Sequence, residues 1–225
     1  HDSRYPRSYP EEVWVAGLEV GREGDVWLAT IGWQPGDWTS AVRIHRLDEP
    51  YAGDMQTFSP GSEVGAMALA EDGTLYVLSE TRLWSYDGAW NETTSLRPAW
   101  YHEMAIDAAG TVWLAGENRI IRWDGSDTIE VDWGAEPRSD NNTYGPGPES
   151  WVRALDAGVN GDVWALIGDW DWLTDTDVTA LIHFEGDDYT RTDVPTDSFT
   201  WAAAFEVAPD GSIWLAAGNR LLRYD

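Results

Sequence analysis

The chain contains no cysteine and no lysine. Without cysteine there is no disulfide, no thiolate nucleophile and no thiolate metal site. Without lysine, all 14 basic residues are arginine, set against 40 aspartates and glutamates for a formal net charge of −26. A field of that sign repels phosphate, which argues against nucleic acid and anionic membrane surfaces as partners. The acidity and the missing lysine fit a GC-rich genome, a salt-rich habitat or an extracellular or cell-surface setting, the last being the expectation here. No apolar run approaches the roughly 20 residues of a spanning helix, and no stretch reads as a signal peptide. There is no phosphate-binding glycine loop, no Ser-His-Asp signature and no redox motif. His45 and His183 fall at non-equivalent places in the repeats described next, so no transition-metal pair is implied.

What is abundant is tryptophan, with 16 in 225 residues. Many of them recur in one short phrase. Gly24-Asp25-Val26-Trp27 leads to Ile44-His45-Arg46-Leu47-Asp48. Asp72-Gly73-Thr74-Leu75-Tyr76 leads to Arg82-Leu83-Trp84-Ser85-Tyr86-Asp87. Gly110-Thr111-Val112-Trp113 leads to Arg119-Ile120-Ile121-Arg122-Trp123-Asp124. Gly161-Asp162-Val163-Trp164 leads to Leu181-Ile182-His183-Phe184-Glu185. Asp210-Gly211-Ser212-Ile213-Trp214 leads to Arg223-Tyr224-Asp225. Five copies of one two-strand phrase mean a repeat fold, and about 45 residues per copy is the length of a four-stranded propeller blade.

Period-two alternation and turn residues divide each copy into strands. In the third copy an inner strand over residues 100–107 is followed by a turn at Gly110, strands over 111–115 and 119–123, an Asp124-Gly125 hairpin and an outer strand over 128–133. The expectation is an all-β, five-bladed β-propeller of four-stranded antiparallel blades. One domain spans residues 1–225, with blades at 10–59, 60–96, 97–147, 148–196 and 197–225 plus 1–9. The last copy stops after its third strand, so the N-terminal segment, residues 3–8, is expected to complete the last blade, where Pro6 suits an edge strand. The blade cores are expected to hold Leu18, Met67, Met104, Leu155 and Phe205 with the repeated Trp and Tyr.

This unit, turn Asp and Gly, then hydrophobic-Trp-hydrophobic, then Arg-hydrophobic-hydrophobic-Arg-aromatic-Asp, resembles the propeller repeats of two-component regulators and related sensors. In blade number the chain is also similar to tachylectin-like lectins. The resemblance covers most of the chain and implies a propeller; such propellers serve as sensors, lectins and enzymes, so function must be read from the site.

Ten residues before each turn glycine stand Trp14, Glu63, Trp100, Trp151 and Trp201. Four tryptophans and a glutamate at one position, the start of the innermost strand, would make an aromatic platform at a channel mouth for a sugar face or a cation. Two second-to-third-strand turns carry insertions on the same expected side, with Trp33 and Trp38 in one and Trp170 and Trp172 in the other, and these read as loop contacts. A third insertion, residues 134–149, leads into Trp151. Two residues after the platform the repeat reads Ala16, Gly65, His102, Arg153 and Ala203, and Glu103 follows. His102, Glu103, Arg153 and Glu63 would be the acid, base or hydrogen-bonding groups if the protein were an enzyme. Asp169, Asp171, Asp175 and Asp177 offer oxygen ligands for calcium, the one cofactor entertained.

Three readings stay open. The favoured one is a non-catalytic ligand-binding or sensor propeller, binding a carbohydrate-like or small neutral-to-cationic ligand, as a monomer or as part of a larger chain. The second is an enzyme acting on a sugar or lactone at the same mouth. The third is a protein–protein interaction scaffold with its partner on the Trp-rich loop face.

Overall fold

The computed structural model describes residues 13–21, 24–33, 40–46, 64–96, 101–116, 119–133, 149–158, 160–171, 176–186, 188–194, 202–217 and 220–224. Every regular element among them is a β-strand, and the strands form five antiparallel meanders, the blades of a β-propeller. Blade 1 is β1 (Val13–Val20), β2 (Val26–Trp33) and β3 (Ser40–Arg46). Blade 2 is β4 (Ala66–Leu69), β5 (Leu75–Ser79), β6 (Arg82–Tyr86) and β7 (Trp90–Ser95). Blade 3 is β8 (Glu103–Ile106), β9 (Val112–Gly116), β10 (Arg119–Trp123) and β11 (Thr128–Val131). Blade 4 is β12 (Glu149–Ala157), β13 (Val163–Asp171), β14 (Thr176–Glu185) and β15 (Asp188–Val194). Blade 5 is β16 (Ala202–Val207), β17 (Ile213–Ala217) and β18 (Arg220–Tyr224). The segment expected to complete the last blade lies outside the described residues.

The chain divides into two compact units, His1–Pro98 with blades 1 and 2, and Ala99–Asp225 with blades 3 to 5. Within each unit the same packing rule holds. In the first, Trp27, Ala29 and Ile44 of blade 1 bury against Met67, Leu75 and Val77 of blade 2. In the second, Ala105, Trp113, Ala115 and Ile120 of blade 3 bury against Val152, Leu155, Ala165 and Phe184 of blade 4. Leu166, Leu181 and Val194 on the other face of blade 4 meet Ile213 and Leu215 of blade 5. The repeat tryptophan meets an aromatic of the next blade's third strand, Trp27 with Tyr86 at 5.3 Å and Trp113 with Phe184 at 5.4 Å between ring centroids.

The five aligned glycines have a common cause. Gly24, Gly73, Gly110, Gly161 and Gly211 all have φ between 82° and 90°. In every blade the glycine N–H donates to the carbonyl three residues before it, closing the turn between first and second strands. Only glycine adopts that backbone without strain.

The arginine of the repeat phrase also has a structural explanation. The register sets Trp27 across from Arg46, Trp113 from Arg122, Trp164 from His183 and Trp214 from Arg223. Arg46 and Arg223 lie over their tryptophans, 5.5 and 5.7 Å from the centroids, while turn residues Asp25 and Asp210 accept from their guanidinium groups at 3.0 and 3.3 Å. In blade 4 a histidine takes this place. His183 stacks on Trp164 with centroids 3.9 Å apart, and its Nε2 is 3.1 Å from Asp162. In blade 3, Asp107 accepts the Trp113 indole N–H at 3.0 Å and the N–H groups of Ala109 and Thr111 at 2.9 Å.

One expected core residue is not buried. Leu18 is 57% exposed, together with Val15 and Val20. In blade 1 it is Gly17 that turns toward Met67 of the next blade. Leu18 lies on the opposite face, and no blade precedes β1 within its unit. Met67, Met104 and Leu155 are buried as expected, and Phe205 is partly buried against the blade 4 and blade 5 cluster.

Asp107 satisfies three donors at once, one of them on a buried ring. Replacing it with alanine should lower the unfolding free energy by about 2–4 kcal/mol, and asparagine should cost less. Urea denaturation of the two variants measures both; a variant Asp107→Ala within about 0.5 kcal/mol of wild type would show the anchor to be dispensable.

Candidate functional site

A first strand in a meander has one edge that no strand of its own blade can pair. In the second unit the neighbouring blade's side chains take up that edge. His102 Nε2 meets the Val152 carbonyl at 3.1 Å, the geometry of a ring N–H donating to it. The Glu103 carboxylate is hydrogen-bonded to the Leu155 backbone. One blade further on, Asp156 Oδ2 accepts the Val207 N–H at 2.7 Å while its Oδ1 accepts the Ala157 N–H. Side chains of blade 3, His102 just before β8 and Glu103 at its start, thus pin β12, and a side chain of β12 pins β16.

These pins surround a repeated irregularity. Opposite β2, β13 and β17 the register slips at residues 16, 153 and 203. In the other two blades Gly65 N–H reaches the Leu78 carbonyl and His102 N–H the Ala115 carbonyl, while Leu78 and Ala115 pair with Ala66 and Glu103. Two residues oppose one in all five first strands, a β-bulge in each blade. The bulge column is Ala16, Gly65, His102, Arg153 and Ala203, so the polar departures from the repeat sit where a bulge re-aims side chains.

In blade 4 the bulge directs Arg153 back over Trp151, its guanidinium carbon 5.1 Å from the ring centroid. Its Nε, Cζ and Nη2 occupy the space where a Cβ of residue 168 would be, so only Gly168 accommodates it. Gly168 is the register partner of Trp151, and Trp170 that of Glu149. Trp151, Arg153 and Gly168 therefore stand together beside the end of the β13–β14 hairpin, and the register puts Trp151 and Gly168 on the face of blade 4 that carries Leu166 toward blade 5, while His102 and Glu103 of blade 3 reach the backbone at Val152 and Leu155. Both Trp151 and Arg153 are half-buried.

The remaining expected site residues are placed as follows. Trp14, in the other unit, is 47% exposed and pairs in register with Ile31, beside the strand end that carries Trp33. Trp33 and Trp170, expected in loops, are on strands, because β2 and β13 run on into their insertions. Glu63, Trp100, Trp201, Trp38 and Trp172 lie outside the described residues. Of the calcium candidates, Asp169, Asp171 and Asp177 belong to the β13–β14 ladder, with Asp177 across from Trp170, and Asp175 is not described. Among the described residues, no three His, Asp or Glu side chains gather as metal ligands would.

Asp156 and Glu206 were not anticipated. They occupy one repeat position, five residues before the turn glycine, which reads Glu19, Ala68, Ala105, Asp156 and Glu206. Acids in three of five copies on a first strand were the available signal. Burial pushes the carboxyls of Glu103, Asp156 and Glu206 up from their ordinary values, and for Glu206 the charge of Asp156 adds to the rise.

No protein-family model and no curated protein matches the chain. Solved structures do. A chain of the mitotic checkpoint complex matches with a TM-score of 0.58 at 15% identity, over 94% of this chain and 76% of that one. The Dos1 propeller matches at 0.54 and 11% identity, over 96% of this chain and 62% of that one. The extracellular domain of the hybrid two-component system BT4673 from B. thetaiotaomicron matches at 0.45 and 9%, over 94% of this chain and 31% of that one. The first two, at such identities, carry the fold alone: a β-propeller. The chain spans between a third and three quarters of these proteins. Among the described residues no helix is long and apolar enough to cross a membrane.

Two outcomes follow from this geometry. Gly168→Ala should push the Arg153 guanidinium off Trp151 and cost no more than about 1 kcal/mol in thermal or urea unfolding, because the flexible end of an arginine can move aside. The raised carboxyls mean that the folded state holds more protons than the unfolded one just above the ordinary carboxylate range. Their contribution to stability is complete below that range and is lost as pH rises through the raised values. Stability should therefore increase from pH 7 to pH 5. In Glu206→Gln that increase should be smaller than in wild type, and identical pH profiles for the two proteins would remove Glu206 from the account.

Proposed function

We propose that this chain is a non-catalytic ligand-binding or sensor propeller that takes a carbohydrate-like ligand at the Trp-bearing strand ends. The observation that carries this reading is the start of β12, where the indole of Trp151 and the guanidinium of Arg153 stand together beside a long hairpin. Aromatic rings pack against the C–H face of a sugar while the polar groups meet its hydroxyls. The exposed ring of Trp14 at the same repeat position favours recognition over packing, since an exposed tryptophan at a blade end buries little of its own surface. Trp100, Trp201 and Glu63 join the proposed contacts from their repeat positions alone, and Trp38 and Trp172 from the insertions that carry them. An extracellular location belongs to the same reading and rests on the acidic, lysine-free composition.

The enzyme alternative is disfavoured by how the candidate acid and base are used. Glu103 and His102 are hydrogen-bonded to backbone groups of the neighbouring blade. A catalytic acid or base must be within reach of a substrate proton, and here each would have to release a strand pin first.

Tryptophan fluorescence titrated with neutral oligosaccharides, with and without calcium, tests the proposal on wild type, Trp151→Ala and Trp100→Ala. A saturable shift that is lost in Trp151→Ala, with the circular dichroism spectrum unchanged, is the expected result. Silence toward every saccharide overturns it. A shift that needs calcium would bring Asp169, Asp171, Asp175 and Asp177 into the site; one indifferent to calcium would leave them out.

A further inference from the structure

Resting on that reading, we infer that Arg153 is a built-in cover on Trp151: its guanidinium occupies the indole face that a saccharide needs, and the ligand binds by displacing it. The guanidinium carbon lies 5.1 Å from the ring centroid, within the range of a cation–π contact. The two residues are two positions apart on one strand, so the contact is intramolecular. The cover therefore competes with an incoming ligand at any protein concentration.

Blade 1 shows the same repeat position without the cover. Its bulge residue is Ala16, its Trp14 pairs in register with Ile31, and Trp14 is 47% exposed. In blade 4 both places differ. The bulge residue is Arg153, and the residue across from Trp151 is Gly168. The Nε, Cζ and Nη2 atoms of Arg153 fill the space that a Cβ at residue 168 would take. The arginine and the glycine that receives it act as a pair, and Trp151 is half-buried where Trp14 is exposed.

Removing the cover moves one side chain and no strand. The start of β12 is fixed by its pairing with β13, whereas the guanidinium sits at the end of a flexible stem. A cation–π contact at a half-buried place is strong enough to weaken a competing ligand by about two- to thirtyfold. The contact is thus a brake on affinity and not a block. Once off the ring, the guanidinium still carries N–H groups that can donate to sugar hydroxyls. Gly168→Ala frees the ring and keeps those donors; Arg153→Ala frees the ring and loses them.

The experiment is a calorimetric titration of the full chain with maltotriose, cellotriose and xylotriose, for wild type, Gly168→Ala and Arg153→Ala, each checked by circular dichroism. It is paired with proton–nitrogen correlation spectra of the arginine Nε–H groups in wild type, where the Arg153 signal is the one missing from Arg153→Ala. At least one trisaccharide should bind about two- to thirtyfold more tightly to Gly168→Ala than to wild type, with a smaller gain in Arg153→Ala. In wild type, saturation with that trisaccharide should move the Arg153 signal. Saturable binding with the Arg153 signal unmoved would overturn the cover while leaving the binding module in place. So would a folded Gly168→Ala that binds no more tightly than wild type. No heat with any trisaccharide in any of the proteins would instead defeat the binding-module reading, and this inference with it.

Discussion

An antiparallel meander of this sequence has two apolar faces and cannot bury either by itself. That constraint organises everything else. Each blade needs a neighbour, and the neighbour must present the complementary face: Trp27, Ala29 and Ile44 against Met67, Leu75 and Val77, and Trp113, Ala115 and Ile120 against Leu155 and Phe184. The large ring of one blade against the branched and aromatic side chains of the next buries more apolar surface per residue than an aliphatic pair. Sixteen tryptophans in a small acidic chain are therefore first a packing device. Leu18 lies on the face of β1 turned away from blade 2 and has no partner face within its unit.

Packing blade on blade leaves one cost uncovered, the backbone edge of each first strand. The second unit meets it with side chains. His102, Glu103 and Asp156 reach the Val152 carbonyl, the Leu155 backbone and the Val207 N–H. The bulge re-aims the side chain it carries, toward the Val152 carbonyl for His102 and over Trp151 for Arg153. Where that residue is alanine or glycine the bulge is silent. Where it is His102 or Arg153 it becomes a polar group held in place. The structural requirement and the candidate site are one feature: a pinned edge supplies a rigid polar surface, and rigidity is what a recognition site requires.

Much of the fold was legible before any coordinates. The turn glycines repeat because their φ is positive, and the strand limits of β1 and β10 coincide with the hydrophobic alternation. The candidate site was half legible. A break in a repeat is visible by alignment, which singled out His102, Glu103 and Arg153. What they do was not, because a bulge depends on hydrogen bonds to the partner strand, and a pin depends on which backbone atom of the next blade is opposite. The insertions misled for a related reason. Residues rich in Trp and Asp read as loops, yet β13 continues to Asp171 because the facing strand β14 is long enough to pair with it.

The sequence by itself determined the blade: its length, its turn chemistry, the alternation of its strands and the number of its copies, because these are properties of neighbouring residues. Tertiary structure alone decided which polar side chains became pins, that Arg153 covers Trp151, and that burial, with the charge of Asp156 added, raises the carboxyl of Glu206. Those outcomes depend on distances between residues some fifty positions apart in the chain, such as His102 and Val152 or Asp156 and Val207. Only blade-on-blade packing brings such pairs within reach of a hydrogen bond.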